Sequence, residues 1–581
     1  MHRTKRWNRL LRVPVQAAVV IAIVAIPSAA ALEHREAPKG FLAHVSQSVA
    51  AHYFVKHPAE APAQIAGSLS EAGDTQEHKS SPSNGESCAP NAGNGVFNCD
   101  KIGFPQNEES TAACPTNDSY VLMGANDYNG LVESPVGDST GWYWSTDGGR
   151  SVRASGYLPP ASFRTMNHPD APSGGDPVDF IPAGCNALYA ASLVYDPATV
   201  PFGPNGVAVY RTTPATLNSC GGGDNPGCWP VKRMVAESSG GVFIDKEWMF
   251  VGTQNGVRYV WVTWSAFVQD ASAPLGYTSV SIQAARCDEM LATCSAPIPI
   301  STVDQDVQFS DVTVGPDGRT YITWAGIEGE LPGNPNGTPG QPETFVIKER
   351  TETAPGSMTF GPEHVVHVED NAIPFDGFLQ ANDFRIATYP KSDVVLFKGK
   401  PRIFVIWDAC KYRLPFDRTC QEPLIKLKYS LDPDGATWSP VHVLSSGGVN
   451  YFPTISADRS YRSNRIAAAW FTNHYDPAFE NAQDVVATSI DPETGHAQAL
   501  KRLTPASNEP EADPLLGGFF IGDYIEGVLT GSRFYVGYNA NYRKTKILGT
   551  FGPPYSNSAS VNQQDNYLSV VTSDNEAGNN R

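Results

Sequence analysis

The 581-residue chain lacks the short motifs of several enzyme classes. It contains no HExxH sequence and no GxxxxGK[ST] sequence, so nothing in it indicates a zinc peptidase or a phosphate-binding loop. No two cysteines are spaced as CxxC, which leaves a zinc ribbon and a thioredoxin-type site without support. After Ala31 no segment approaches the ~18 consecutive apolar residues of a membrane span.

Positive charge is scarce and is concentrated at the start of the chain. Five Arg and Lys residues precede an apolar stretch from Val13 to Ile26, and small residues follow at Ala29–Ala31. This arrangement predicts a signal peptide over residues 1–31, with an uncleaved anchor as the alternative. Its removal takes five positive charges from the formal charge of −18 and leaves −23. A chain this acidic argues against nucleic acid as a partner. We expect a secreted or periplasmic monomer with no membrane span after cleavage.

Cysteine is plentiful, with ten residues in the chain. In an exported protein they predict disulfide bonds, and a reduced state is the alternative if the compartment is not oxidising. Four close pairs each bracket a short polar or Gly- and Pro-containing stretch, and the two remaining cysteines could join neighbouring strands. The predicted pairs are Cys88 with Cys99, Cys220 with Cys228, Cys287 with Cys294, Cys410 with Cys420, and Cys114 with Cys185.

The composition changes near residue 95. Residues 32–95 are rich in Ala, Pro, Ser, Glu and His, which predicts a flexible pro-segment or linker. Over residues 96–575, short runs of Val, Ile, Tyr, Phe and Trp alternate with Gly, Pro, Asn and Asp, a pattern typical of many short antiparallel strands. Residues 576–581 are expected to form a disordered tail. The pattern therefore predicts an all-β fold for the body.

An internal repeat organises this body. Each unit has a polar opener, a short strand, a turn and a second strand that ends in an aromatic residue. The openers are Glu108, Asp176, Asp245, Asp311, Asp383, Tyr451 and Asp523, spaced 66 to 72 residues apart. Each unit can supply one four-stranded antiparallel blade, and radial packing buries the faces of such blades. The spacing predicts a seven-bladed β-propeller, with six blades as the alternative, closed by strands from both ends of the body.

In a propeller the first strand of each blade faces the central channel, so the openers should converge there. Six of the seven are carboxylates, and such a ring has two possible uses. It could bind calcium or another hard cation through oxygen ligands, or two of its members could act as acid and base because crowded carboxylates raise one another's pKa. The alternative is structural, with each carboxylate capping backbone N–H groups of the neighbouring blade.

Several turns resemble the Asp-box (BNR repeat) of the sialidase-like propellers. That motif runs S-x-D-x-G-x-x-W, and similar sequences occur at Ser145–Val152, Ser430–Trp438 and Ser489–Gly495. Gln106–Ser110 and Gly522–Tyr524 are similar to the opening and closing blades of bacterial members. The resemblance spans residues 100–575 and implies the propeller fold. It leaves the activity open, because the same fold carries hydrolases, lyases and binding proteins.

The resemblance also implies where a sialidase-type site would lie. Such enzymes hold the substrate carboxylate with three arginines, and the first belongs to an early Arg-Ile-Pro motif that this chain lacks; its nearest counterpart is Arg385, followed by Ile386 and Ala387. Tyr524 with Glu526 could form the family's Tyr–Glu nucleophile pair, or Tyr524 could simply pack in the core. Trp248 is the best candidate to stack on a sugar ring.

These residues lead to two functional hypotheses. The first is an exported propeller that binds or hydrolyses a carbohydrate in its central funnel, with a neutral or cation-bridged glycan favoured over sialic acid. Its candidate catalytic residues are Glu108, Asp176, Asp245, Asp311, Asp383, Asp523 and Tyr524, and its candidate substrate-binding residues are Arg385, Trp248 and Tyr451. The alternative is a non-catalytic cell-surface or periplasmic scaffold whose propeller binds a cell-surface ligand.

Overall fold

A computed structural model describes the body of the chain. The described residues are 45, 46, 49, 95–98 and 104–572, except for residues 165–169, 197–198, 271, 274, 304–305, 329–343, 376, 414–417, 514–515, 517–519, 543 and 547–559. The chain divides into two compact units, Met1–Lys39 and Gly40–Arg581. The first unit, the predicted signal peptide and the predicted tail at 576–581 lie outside the described residues.

The described residues form 33 strands. The first is β1 (Gly95–Val96). The next sixteen are β2 (Gln106–Ala113), β3 (Val121–Asp127), β4 (Thr140–Ser145), β5 (Ala154–Tyr157), β6 (Val178–Phe180), β7 (Leu188–Tyr195), β8 (Asn205–Thr212), β9 (Val231–Ser238), β10 (Val242–Gln254), β11 (Val257–Gln269), β12 (Tyr277–Asp288), β13 (Ile298–Pro299), β14 (Val307–Val314), β15 (Thr320–Glu328), β16 (Thr344–Thr351) and β17 (His364–Glu369). The remainder are β18 (Gly377–Leu379), β19 (Arg385–Ile386), β20 (Lys391–Phe397), β21 (Lys400–Ala409), β22 (Thr419–Cys420), β23 (Leu424–Tyr429), β24 (His442–Val443), β25 (Asn450–Ala457), β26 (Ile466–Thr472), β27 (Asp484–Ile490), β28 (Lys501–Arg502), β29 (Glu526–Thr530), β30 (Arg533–Ala540), β31 (Lys544–Lys546), β32 (Ser560–Asn562) and β33 (Asp565–Thr572).

Seven four-stranded antiparallel sheets account for most of these strands. In chain order they are β2-β3-β4-β5, β6-β7-β8-β9, β10-β11-β12-β13, β14-β15-β16-β17, β20-β21-β23-β24, β25-β26-β27-β28 and β29-β30-β33-β1. We number them as the first to the seventh sheet. The strands β19, β18 and β22 form a small additional sheet. In sequence β18 and β19 precede the fifth sheet, and β22 lies between its strands β21 and β23. The strand β31 pairs with β32. The number of four-stranded sheets among the described residues matches the number of repeats in the sequence.

The first strands of successive sheets contact one another around a closed circuit. β2 contacts β6, β6 contacts β10, and the series continues through β14, β20, β25 and β29 back to β2. This circuit and the sheet order establish the all-β propeller that the repeat predicts. The seventh sheet takes β1 from the start of the body and β33 from its end, with Gly95 opposite Leu568. Closure by both ends of the body is thus confirmed.

The core lies between the sheets and is rich in tryptophan. Seven tryptophans on second and third strands are fully buried: Trp142, Trp144, Trp261, Trp264, Trp324, Trp407 and Trp470. Each such ring removes about 150–250 Å² from water, which stabilises the fold by ~4–6 kcal/mol at ~25 cal/mol per Å². The strands β2, β14 and β25 are buried along their whole length, because neighbouring sheets cover both of their faces.

Acidic side chains shape several turns between the third and fourth strands. Asp147 accepts backbone N–H bonds from Arg150 and Ser151 at 3.0 and 2.9 Å. Asp432 accepts them from Asp434 and Ala436, at 3.0 Å each. Asp288 binds backbone N–H groups of its own turn in the same way, although its sequence does not fit the S-x-D-x-G pattern. The Asp-box assignment itself stays a prediction.

Four of the five predicted disulfide bonds are present. Three of them close short loops: Cys220–Cys228, Cys287–Cys294 and Cys410–Cys420. The fourth, Cys114–Cys185, joins the first sheet to the second across 71 residues of sequence. Cys88 and Cys99 lie outside the described residues. None of the described cysteines is free.

Helices are few and short in the described part of the chain. They are the α-helices α1 (Gly130–Glu133) and α2 (Pro214–Ser219) and the 3₁₀ turns Pro226–Cys228 and Pro510–Ala512. Thr213 caps α2 by accepting the N–H of Thr216. Within the described ranges, no helix has the length and apolar character needed to cross a bilayer.

Candidate functional site

A shared β-bulge distorts the first strand of four sheets. Pairing with the second strand breaks between Asn107 and Ser110, Asp245 and Trp248, Gln308 and Asp311, and Tyr451 and Thr454. In each case the first residue of the bulge has a positive φ: Glu108 58°, Lys246 56°, Phe309 58° and Phe452 49°. Bulges of this kind re-aim side chains. Glu108 in the first sheet and Lys246 in the third sheet are structurally equivalent, because each is the first residue of its bulge.

The bulges bring charged side chains together in a buried group, which we call the carboxylate cluster. It consists of Glu108, Asp176, Asp245, Glu247 and Asp523, none of them more than 2% exposed. The N–H of Asp523 donates to Glu108 Oε1 at 3.1 Å, which joins the seventh sheet's entry to the first sheet. Asn126 donates to Glu108 Oε2 at 2.6 Å, and its own Oδ1 accepts the N–H of Asp176 at 2.8 Å.

Two buried cations neutralise Asp523. Arg385 Nε donates to Asp523 Oδ1 at 3.1 Å, while Arg385 Nη2 and Lys246 Nζ both bind Asp523 Oδ2. Arg385 and Lys246 are 5% and 3% exposed. The attraction of the two cations offsets the desolvation cost that an isolated buried carboxylate would carry.

The carboxyl groups of the cluster have divergent proton affinities. Burial alone would raise the pKa of Asp523, but Arg385 and Lys246 outweigh it and lower that pKa to about 2. Burial, followed by the charges of Asp176 and Asp523, raises the pKa of Glu108 well above its usual value. Burial likewise raises the pKa of Asp245, to about 7, and that of Glu247. Glu108 therefore keeps its proton to a higher pH than an exposed glutamate, whereas Asp523 is ionised at neutral pH.

An aromatic wall borders the cluster. Trp248 meets Tyr524 edge to face with ring centroids 5.4 Å apart, and Tyr389 meets Tyr524 at 6.1 Å. Lys391 Nζ lies over Trp248 and is 4.2 Å from the Tyr389 centroid. No hydrogen-bond partner reaches this amine in the described structure. Burial lowers the pKa of Lys391 to about 7, against the opposing charge of Asp311.

Tyr524 and Glu526 have separate partners. The Tyr524 hydroxyl donates to the carbonyl of Pro177 at 2.8 Å. Glu526 Oε2 accepts from the hydroxyl of Ser110 and from the N–H of Thr111, in the first sheet. The geometry thus favours a packing role for Tyr524 over the nucleophile pair.

Three predicted members of the ring lie outside the cluster. Asp311 accepts the N–H and hydroxyl of Ser392 in the next sheet, as the capping hypothesis expects. Asp383 lies in the loop before β19 and binds Glu511 through its N–H. Tyr451 packs in the core and donates to Gln483 at 2.9 Å.

The difference for Asp383 has a local cause. The sequence Asp-Phe-Arg-Ile looks like the start of a strand, but the residues before the fifth sheet form the extra strands β18 and β19. The first strand of the fifth sheet begins instead at Lys391. Its Asp393 accepts the N–H of Ala457 in the next sheet at 2.7 Å, just as Asp311 accepts that of Ser392.

Three residues of the predicted linker lie inside the body. Val45, Ser46 and Val49 are fully buried. The N–H of Ser46 donates to Asp245 Oδ2 at 2.7 Å, and its hydroxyl donates to Asp176 Oδ1. Arg385 Nη1 donates to the Val45 carbonyl at 2.9 Å. This part of the 32–95 segment occupies the carboxylate cluster.

The described residues contain no group of three or more His, Cys, Asp or Glu side chains arranged to hold a metal ion. In the cluster, Lys246 and Arg385 supply positive charge at the place where calcium was a candidate. The calcium hypothesis therefore gains no support from the side chains that converge.

The sequence analysis missed Lys246, Glu247, Lys391 and Ser46. A signal for two of them was present, because Asp245-Lys246-Glu247 interrupts an otherwise apolar strand. Three consecutive charges within a strand that is buried on both faces must find partners inside the protein. Ser46 had no comparable signal, since nothing in its neighbourhood indicates burial.

Comparison with known proteins gives only distant likenesses. No protein-family model matches the chain, and no curated protein matches it. An α-L-arabinofuranosidase from Fusarium graminearum is 12% identical with a TM-score of 0.38, over 68% of this chain and 97% of that one. A Hadza microbial sialidase is 12% identical with a TM-score of 0.38, over 74% and 73%. An ulvan lyase is 8% identical with a TM-score of 0.42, over 76% and 92%.

Proposed function

We propose that the carboxylate cluster binds and hydrolyses a carbohydrate. The observation that carries this proposal is the convergence of Glu108, whose pKa is raised, and Asp245 in one buried cluster beside the aromatic wall of Trp248. Glycoside hydrolysis needs one carboxyl group that donates a proton and one that accepts a proton or attacks. Aromatic rings beside polar groups are the usual surroundings of a bound sugar.

In this proposal Glu108 is the general acid. It donates its proton to the glycosidic oxygen as the bond from that oxygen to the anomeric carbon breaks. Asp245, whose pKa is about 7, takes a proton from the attacking water, which adds its oxygen to the anomeric carbon. A base with a pKa near the working pH is well suited to this step. Arg385, held by Asp523, donates to an oxygen of the substrate.

The contacts of Val45 and Ser46 support these binding roles. Asp245 accepts an N–H, Asp176 accepts a hydroxyl and Arg385 donates to a carbonyl oxygen. A sugar with neighbouring hydroxyl groups can satisfy the same three residues. A neutral glycan fits better than sialic acid, because Arg258, Arg319 and Arg402 bind Glu289, Asp434 and the Pro492 carbonyl instead.

We further propose that the protein is exported and that residues 1–31 are its signal peptide. Four disulfide bonds, which persist in oxidising compartments, support this. The Asp-box-like turns support membership of the sialidase-like superfamily.

The test is sugar release from a mixed pool of neutral oligosaccharides, read by mass spectrometry. We expect the wild-type protein to release a sugar and Glu108→Gln to lose at least ~100-fold of that rate, the usual contribution of a general acid. Glu493→Gln is the matched control, since that carboxylate forms an exposed pair with Lys398. Equal rates for Glu108→Gln and wild type would rule out Glu108 as the acid.

The second candidate is a non-catalytic binding scaffold. One observation favours it: the cluster is closed by Val45 and Ser46, and four of its five carboxylates bond within the chain, namely Glu108, Asp176, Asp245 and Asp523. Absence of release from every oligosaccharide, by a folded protein freed of the segment that contains Val45 and Ser46, would favour this scaffold.

A further inference from the structure

We infer that the N-terminal plug, defined as Val45, Ser46 and Val49, is a built-in ligand that keeps the carboxylate cluster closed until it is displaced. This inference rests on the proposed function for what enters the site afterwards. The closure itself stands on the plug's contacts, which do not depend on any activity.

The plug meets the cluster with matched polar groups. Ser46 donates twice, from its N–H to Asp245 on β10 and from its hydroxyl to Asp176 before β6. The Val45 carbonyl accepts from Arg385 on β19. Three residues from three separate parts of the propeller thus converge on two adjacent residues of the N-terminal segment. A linker that merely passed over the surface would have no such set of partners.

The apolar side chains of the plug are buried as completely as its polar groups. Val45 and Val49 have no exposed surface and belong to the same hydrophobic cluster as Trp248 and Tyr524. Burying a valine side chain removes apolar surface from water and so stabilises the arrangement that buries it. Apolar burial therefore holds the plug in place together with its polar contacts.

The plug also specifies what can replace it. When it leaves, Asp176 and Asp245 lose donors and Arg385 loses an acceptor, and unsatisfied buried polar groups are costly. A competing ligand must offer two donors and one acceptor at neighbouring positions. Adjacent hydroxyl and ether oxygens of a sugar have this pattern, so the plug and the proposed substrate compete for one site.

Covalent attachment gives the plug an advantage over free ligands. It is joined to β1 through residues 50–94, and a tether raises the effective concentration of the attached segment at its site. A cut within these residues would turn the plug into a separate peptide that can dissociate. We infer that proteolysis there opens the site.

The experiment uses the full chain with a site-specific protease sequence inserted between residues 80 and 86. The protein is cut after folding, and its melting temperature verifies that the body stays folded. A fluorescein-labelled peptide of residues 40–50 is then added, and its binding is followed by fluorescence anisotropy. We expect binding to the cut protein after its own fragment is removed, and at least tenfold weaker binding to the uncut protein.

Variants then test the contacts. Ser46→Ala in the peptide should weaken binding about fivefold to tenfold, as should Asp245→Asn in the cut protein. Glu493→Gln in the cut protein is the control and should bind the peptide as wild type does. Equal peptide binding by cut and uncut proteins would contradict the inference that the plug closes the site. So would the absence of binding to the cut and folded protein.

Sugar release separates this inference from the proposed function. Release that rises at least tenfold after cutting, together with peptide binding, supports both. Peptide binding without release of sugar from any oligosaccharide supports closure by the plug and contradicts the proposed hydrolysis. Full release by the uncut protein, unchanged by cutting, contradicts the plug and leaves hydrolysis standing.

Discussion

At the residue scale, the cluster depends on charges that are costly to bury and are therefore paired. Asp523 is bound by Lys246 and Arg385, and all three are nearly inaccessible to water. Removal of one partner from a buried ion pair costs more than the pair contributes, because the remaining charge stays buried with neither a counter-charge nor water around it. Asp523 is thus the residue whose loss the structure should tolerate least.

We predict that Asp523→Asn destabilises the protein by ~3–5 kcal/mol, because two buried cations lose their counter-charge. The measurement is the free energy of unfolding from urea titrations at pH 7. Asp434→Asn is the matched control; its carboxylate pairs with Arg319 but is 67% exposed, so its loss should cost less than ~1 kcal/mol.

The stability difference between wild type and Asp523→Asn should depend on pH, in a direction set by the lowered pKa of Asp523. The pKa of Asp523 is lowered to about 2 in the folded protein, below the usual value of 3.8. Its stabilisation is therefore present above the usual value and disappears as the pH falls through about 2. The difference between wild type and Asp523→Asn should persist from pH 7 to pH 4 and shrink below it. A difference that stays constant down to pH 2 would contradict the pairing.

The sequence predicted part of this cluster at the residue scale. Glu108, Asp176, Asp245 and Asp523 were all identified from their spacing, and the structure brings them together. Arg385 was identified only as a relative of the sialidase arginine, and its actual partner is Asp523. A spacing argument finds residues that recur in every repeat. It cannot find Lys246, because the equivalent bulge positions of the other sheets hold different residue types, Glu108, Phe309 and Phe452.

At the element scale, polar side chains join each sheet to the next. Asp408 on β21 accepts the N–H of Phe452 in the sixth sheet at 3.0 Å and that of Tyr389 at 3.3 Å. Thr454 on β25 accepts the N–H of Gly527 in the seventh sheet at 3.1 Å. The backbone donors at the ends and bulges of first strands have no partner in their own sheet, so the neighbouring sheet supplies one.

We predict that Asp408→Ala costs ~1–3 kcal/mol, the penalty for leaving buried N–H groups unsatisfied. Sugar release at a temperature well below the melting point should stay at the wild-type rate, because Asp408 has no bond to the carboxylate cluster in the described structure. Chemical denaturation gives the stability and the oligosaccharide assay gives the rate. Glu493→Ala, which removes an exposed pair, is the control. A stability equal to wild type would show that the cap is dispensable.

The elements were easier to predict than their exact start. A repeat of constant length and alternating apolar residues revealed the sheets, since both follow from packing four strands against a neighbour. The position of the opener relative to the bulge differs by one to three residues between sheets. Glu108 lies in the bulge of its strand, Asp245 directly before it and Asp311 directly after it. Periodicity alone does not detect such shifts, because they leave the strand's composition unchanged.

At the scale of the whole molecule, the circuit of sheets closes where the seventh meets the first. Gly537 on β30 lies at this junction, and a Cβ there would approach Thr111 Oγ1 to 2.3 Å and Glu109 Cβ to 3.2 Å. Glycine is needed at this position because the neighbouring strand β2 comes so close. Closure also relies on β1 and β33, which come from opposite ends of the body.

We predict that Gly537→Val destabilises the protein by ~1–3 kcal/mol or more, the range for overpacking a tight contact. Because the junction holds both ends of the ring, hydrogen exchange should accelerate in the first and seventh sheets together and least in the fourth, on the opposite side of the circuit. Gly361→Ala is the control, since its added Cβ would meet only the Thr351 carbonyl at an ordinary 3.5 Å. Faster exchange confined to β30 would mean that the junction does not couple the two ends, and the propeller would then be held by its sheets singly rather than by closure.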